Sequence, residues 1–128
     1  MRLLLDTHAF LWWIADDPRL TQRAREALAD PQNEVYLSAV SVWEIVIKVG
    51  LGRLDLPKDL DSFIAGQMRQ NRFLPLAITI PHTLKVRTLP EIHKDPFDRL
   101  LIAQAQVEGL VLVSGDRWVA RYPVPVLW

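Results

Sequence analysis

Five short runs, Arg2–Leu5, Val35–Ser38, Leu74–Ile78, Leu110–Ser114 and Val124–Leu127, constrain this chain more than any other feature. They are rich in Leu and Val, and most are apolar throughout rather than on alternate residues. A strand that is apolar on both faces must be covered on both faces, which is the signature of a parallel sheet between helical layers. The segments between the runs read as helices. Residues 8–15, Thr21–Ala29, Ser41–Val49, Leu60–Asn71, Pro81–Thr88 and Pro96–Glu108 are the helical stretches, and Asp116–Arg121 is a helical turn. Thr21 is placed to cap the second helix, and Gly109 to terminate the 96–108 helix. Pro75 suggests that the 74–78 run is an edge strand or a strand entry point, and Pro125 marks 124–127 as an edge strand. The fold class is therefore α/β, a three-layer domain with helices on both sides of a parallel sheet.

The chain is 128 residues long with no cysteine, which is one domain, residues 1–128. A chain this size buries roughly 65–70% of its unfolded surface and needs no disulfide or structural zinc. Thiol catalysis and Cys-ligated metals are excluded. The apolar start Leu3–Leu5 is interrupted at Asp6, too short for a secretory leader, and no run approaches a membrane span, so the expectation is a cytoplasmic protein.

Topology brings four carboxylates together. In parallel α/β folds the functional crevice lies at the carboxyl ends of the strands. Asp6 ends the first strand, and Asp116 follows the 110–114 strand. Glu44 is expected in the first turn of the helix after strand 35–38. Asp98 lies in the first turn of the helix that leads back to strand 110–114. All four therefore fall on one edge. Each also has a local reading. Ser41 with Glu44 has the spacing of a capping box, Asp95-Pro96 opens a helix with Asp95 as cap, and Ser114-Gly115-Asp116 could be a plain turn. Two carboxylates about 5 Å apart repel by roughly 3 kcal/mol at an effective dielectric of 20. Helix N-termini offset about 1 kcal/mol each, and a divalent cation far more. An all-oxygen set suits Mg²⁺ or Mn²⁺ rather than zinc.

Four stretches, LLLDTHAFLWW (3–13), SAVSVWEIVIKVGLGRLDLP (38–57), HKDPFDRLLIAQA (93–105) and LVSGD (112–116), together resemble the PIN-domain ribonucleases, and most of all the VapC-type toxins of bacterial toxin–antitoxin pairs. They run in the family's order over nearly the whole chain. The resemblance implies a PIN fold with a parallel sheet of four to five strands. It implies Mg²⁺- or Mn²⁺-dependent RNA cleavage with one or two ions, and Asp6, Glu44, Asp98 and Asp116 as the catalytic, metal-binding set. Thr7 and Ser114 match positions that line such sites. It further implies a VapB-type antitoxin partner.

Substrate recognition needs positive charge around the acids. Lys94, Arg99 and Arg117 are the phosphate-contact candidates by proximity to Asp98 and Asp116, and Trp118 is placed to stack on a base of a tRNA or rRNA loop. His8 and His93 are near the same edge, suited to hydrogen bonding or substrate contact. The net charge of zero conceals a division: residues 1–64 carry 7 basic and 10 acidic side chains, residues 65–128 carry 8 and 5. Trp12, Trp13 and Ile14 are too continuous for one amphipathic face. A homodimer or a partner groove using helices 8–15, 41–49 and 60–71 is expected. Two alternatives remain at this stage, a PIN-like binding module without catalysis and a receiver-type phospho-acceptor domain. The second lacks paired acids after the first strand.

Overall fold

The computed structural model describes residues 1–128 and has five strands and six α-helices. The strands are β1 (Arg2–Leu5), β2 (Glu34–Ser38), β3 (Leu74–Leu76), β4 (Val111–Val113) and β5 (Val126–Leu127). The helices are α1 (Thr7–Ile14), α2 (Gln22–Ala29), α3 (Ala39–Gly50), α4 (Leu60–Asn71), α5 (Ile80–Lys85) and α6 (Pro96–Glu108). Short 3-10 turns follow at Val86–Thr88 and Val119–Arg121. No helix is long and apolar enough to cross a membrane.

The sheet is wholly parallel, in the order β3-β2-β1-β4-β5. The two proline-bearing runs are its edges, where a missing N–H breaks no ladder. The interior runs are covered on both sides. Leu3 and Leu5 join Phe10, Leu28, Val35, Leu37, Ile45 and Phe73 in one core. Leu4 points the other way and joins Leu101, Ile102, Leu110, Leu112 and Val119 in a second. The alternating Cβ direction of β1 thus feeds two cores at once, which is the reason for its unbroken apolar run.

Strand order reverses at β1. From β1 the chain builds outward through β2 to β3, then returns to place β4 on the other flank. A crevice opens where neighbouring crossovers leave in opposite directions, beyond the carboxyl ends of β1 and β4. Asp6 and Ser114 stand at those two ends, and the Asp6 N–H donates to the Val113 carbonyl at 3.1 Å.

The caps decide the local register. Thr21 Oγ1 accepts from the Ala24 N–H, and Asp95 Oδ1 accepts from the N–H groups of Phe97 and Asp98. Gly109 ends α6 at φ +67, a conformation that Gly adopts without penalty. The Ser41–Glu44 capping box is not formed. Helix α3 starts two residues earlier, because Ser38 Oγ accepts from the Val40 N–H and caps the helix as β2 ends. Ser41 then lies inside the helix, and Glu44 lies in its second turn rather than its first. The helix N-terminus therefore gives Glu44 little compensation, since that effect fades beyond the first turn.

The two tryptophans of α1 are accommodated within the chain. Trp13 packs on Phe73 and its indole N–H donates to Asn71 Oδ1 at 3.0 Å. Trp12 lies between His8, Trp128 and the Arg19 guanidinium. Exposed apolar residues remain on α3 and at its end, Val46, Leu51 and Trp43, the last with its ring edge-on to Phe97.

Candidate metal-binding acidic site

Asp6 does two jobs. It is the N-cap of α1, its Oδ1 accepting from the Ala9 N–H at 2.7 Å, and it is almost fully buried at the β1–β4 crevice. Burial is the main reason its carboxyl is raised from 3.8 to about 6. The Ser114 hydroxyl and the Ala9 N–H pull it down, and the charges of Asp116 and Glu44 push it up. Asp98, in the first turn of α6, is also raised to about 6. Burial leads, followed by the charge of Asp95; the His93 hydrogen bond opposes, and Asp116 and Asp6 add to the rise. These couplings bring Asp6, Glu44, Asp98 and Asp116 into one electrostatic cluster.

Each acid is held differently. Glu44 is buried, and its Oε2 is 2.6 Å from the Lys48 ammonium one turn along α3. Asp98 Oδ2 is 3.1 Å from His93 Nε2. Asp116 Oδ1 accepts from the Trp118 N–H at 2.7 Å, while its own N–H donates to Ser114 Oγ at 3.1 Å. Thr7 and Ser41 are buried between α1 and α3, with the Thr7 hydroxyl donating to Ser41 Oγ at 3.0 Å. That bond fixes the start of α1 against α3 and so sets Asp6 relative to Glu44. The Lys48–Glu44 pair escaped the sequence reading, although its i,i+4 spacing on a helix is a recognised signal.

Do these residues suit a divalent cation? The donors are carboxylate oxygens, two of them within helices and a third on the cap of α1, and two have carboxyl groups held near 6 by burial and mutual repulsion. That is the chemistry of a hard-cation site. The four carboxylates are not drawn into a closed set of three or more. Lys48 is turned on Glu44 and His93 on Asp98, so cation binding would require Glu44 to exchange the ammonium for the ion.

The basic candidates are distributed unequally. Lys94 and Arg117 are exposed on the rim, Arg117 lying 5.2 Å over the Trp118 ring. Arg99 is half-buried and already engaged: its guanidinium donates to the carbonyls of Pro90 and Val86 and to the Tyr122 hydroxyl. Arg121, which the sequence reading did not single out, lies 5.4 Å over Trp118. His8 is exposed in the first turn of α1 and stacks on Trp12.

Comparison with known proteins gives a consistent picture. Residues 3–124 match the family model described as PIN domain. The ribonuclease VapC22 of Mycobacterium tuberculosis is 29% identical over 126 residues, covering 97% of this chain and 95% of that protein. The ribonuclease VapC16 of the same organism is 37% identical over 70 residues, about half of each chain. Among solved structures, the DNA-bound VapBC of Salmonella typhimurium superposes with a TM-score of 0.73 at 19% identity, covering 98% of this chain and 96% of that one. VapBC2 of Rickettsia felis, bound to a promoter DNA fragment, gives 0.71 at 19% identity over 98% and 97%. At such identity the two structures speak for the fold.

Proposed function

Because this chain belongs to the PIN-domain family, we propose that it is a metal-dependent endoribonuclease of the VapC toxin type, neutralised by a VapB-type antitoxin. The observation that carries the reading is Asp6, a buried carboxylate at the strand-order reversal, electrostatically coupled to Asp116 and Glu44. A fold keeps such a costly charge where a cation or substrate makes use of it. The likeness to two proteins named ribonuclease VapC supports the activity, and the likeness to VapBC complexes supports the partner.

In this reading Asp6, Glu44 and Asp98 hold Mg²⁺ or Mn²⁺, and Asp116 completes the shell or holds a second ion. When bound, the ion supplies Lewis-acid polarisation of the phosphoryl group and activation of water. Asp6 and Asp98 present fixed oxygens, one set by its cap to Ala9 and the other by His93. Ser114 and Thr7 line the floor. Lys94 and Arg117 on the rim attract the phosphates flanking the scissile bond, and Trp118 offers a face for an unpaired base. Arg99 braces the α6 start rather than reaching the rim. With water as nucleophile the products carry 5′-phosphate and 3′-hydroxyl ends. An RNA of the tRNA or rRNA class is the proposed substrate, and Trp43, Val46 and Leu51 of the α3 region the face covered by a second copy or the antitoxin.

The test is induced expression followed by sequencing of RNA 5′ ends, with the Asp6→Asn variant alongside. Discrete 5′-phosphate ends present with the wild type and absent with the variant support the proposal. Protein freed of antitoxin that cleaves no cellular RNA with either Mg²⁺ or Mn²⁺ refutes it.

A further inference from the structure

His93 lies in the loop before α6 and is bound on both sides. Its Nε2 is 3.1 Å from Asp98 Oδ2, and its Nδ1 is 2.7 Å from the hydroxyl of Tyr122. Tyr122 is buried after the Val119–Arg121 turn, its ring edge-on to the imidazole with centroids 5.3 Å apart. The phenol oxygen also accepts from the His93 backbone N–H at 3.2 Å and from Arg99 Nη1 at 3.1 Å.

Counting protons settles the direction of this chain. A phenol oxygen has two lone pairs and one proton. The two N–H donors occupy the lone pairs, so the proton is free to be donated. Its nearest acceptor is His93 Nδ1 at 2.7 Å; the alternative, the His93 carbonyl, is 3.4 Å away. Nδ1 is therefore the unprotonated nitrogen, and Nε2–H points at Asp98. The bond made by one ring nitrogen sets the tautomer at the other. Arg99 holds the far end of the chain in place through Pro90 and Val86.

From this geometry we infer that Tyr122 and His93 are positioning residues, a relay that holds the Asp98 carboxylate in one orientation within the acidic cluster. The inference rests on the proposed role of Asp98 as a cation ligand. Neither ring nitrogen of His93 is left to take a proton from substrate, so the imidazole acts through Asp98 and not on the RNA. The relay joins three segments, the loop at 93, the first turn of α6 and the loop after the 119–121 turn. Outer hydrogen-bond partners of ligating groups commonly change metal affinity by about 10–100-fold when removed.

The experiment is direct Mn²⁺ titration, by calorimetry or by the electron paramagnetic resonance of free Mn²⁺, on the full chain freed of any partner. His93→Ala is expected to bind Mn²⁺ about 10–100-fold more weakly than wild type. His93→Gln, whose amide N–H can replace Nε2–H, is expected to recover most of that loss. Tyr122→Phe keeps the ring and removes the proton donor, and should fall between. In the metal-free wild type, nitrogen-15 spectra of the imidazoles should show His93 as the Nε2–H tautomer, and Tyr122→Phe should shift that signal. For cleavage, the loss in His93→Ala should shrink as Mn²⁺ is raised, with KM for RNA unchanged. Wild-type Mn²⁺ affinity in a folded His93→Ala or Tyr122→Phe protein overturns the relay alone, as does an Nδ1–H tautomer. A wild type that binds no Mn²⁺ overturns the relay together with the reading beneath it.

Discussion

His82 and His93 both join a carboxylate to a second hydrogen-bonding group, yet their surroundings assign them different work. His82 is fully buried in α5. Its Nδ1 accepts from the Thr79 N–H at 3.0 Å, closing a capping box, and its Nε2 lies 2.9 Å from Glu108 Oε2. Gln104 extends the network, meeting His82 Nδ1 at 3.3 Å and accepting from the Ser38 hydroxyl at 2.5 Å. Every buried side-chain polar atom has a partner. This chain ties the end of β2 to α5 and α6 and leaves nothing over. His93 serves an acid with three acidic neighbours, Asp95, Asp116 and Asp6, which together with burial hold Asp98 near 6. The same imidazole–carboxylate pair is a lock where the acid stands alone. It is a means of aiming charge where the acid stands among others.

The largest effect that can break this contrast is at Asp6. Asp6→Asn should abolish RNA cleavage and growth arrest while the metal-free protein melts at the same or a higher temperature. Asn keeps the cap acceptor and removes a buried charge. A fall in both activity and melting temperature would reduce the acidic edge to ordinary structure.

Next comes the lock. His82→Ala leaves the Thr79 N–H and Glu108 without their partner, removes one of the contacts of Gln104 and opens a cavity, a loss of about 3–5 kcal/mol. Denaturant unfolding should show it, and cleavage per folded molecule should be unchanged. If Mn²⁺ affinity drops as it does in His93→Ala, the two histidines are not separable.

A pH series sharpens the same point. The carboxyl of Asp6 is higher in the folded chain than the 3.8 of an unfolded one, so in the interval between the two values the folded state binds more protons. Stability then falls as pH rises. Metal-free protein should be most stable near pH 4 on this account and lose up to about 3 kcal/mol by pH 7, with Asp98 acting in the same sense. Chemical denaturation across pH 4–7.5 measures it, and Mn²⁺ at pH 7.5 should restore the loss. The smallest effect is at Asp95. Asp95→Ala removes the α6 cap at a cost of about 1 kcal/mol and should leave cleavage close to normal.

The legible parts of this molecule were those governed by local rules. The five apolar runs became the five strands, and Pro75 and Pro125 became the edges. Thr21, Asp95 and Gly109 ended helices as their chemistry dictates. The start of α3 is not legible locally because two serines compete there: Ser38 caps the helix, while Ser41 is claimed by the Thr7 hydroxyl, 34 residues away. Glu44 reads as balanced by a helix terminus, whereas in the fold Lys48 balances it from one turn along α3. Arg99 reads as a rim cation beside Asp98, and only Tyr122, 23 residues on, shows it as a brace.

By itself the sequence determined a parallel sheet, its two edges, and the gathering of four acids at one end of it. Periodicity and helix direction are short-range properties, and the handedness of the crossovers does the rest. Only the tertiary structure decided how each acid is held, which imidazole nitrogen bears the proton, and which of two like histidines faces the acidic cluster. Those outcomes depend on hydrogen bonds between residues far apart in the chain. Their directions follow from counting donors and acceptors in three dimensions, and no one-dimensional pattern records that count.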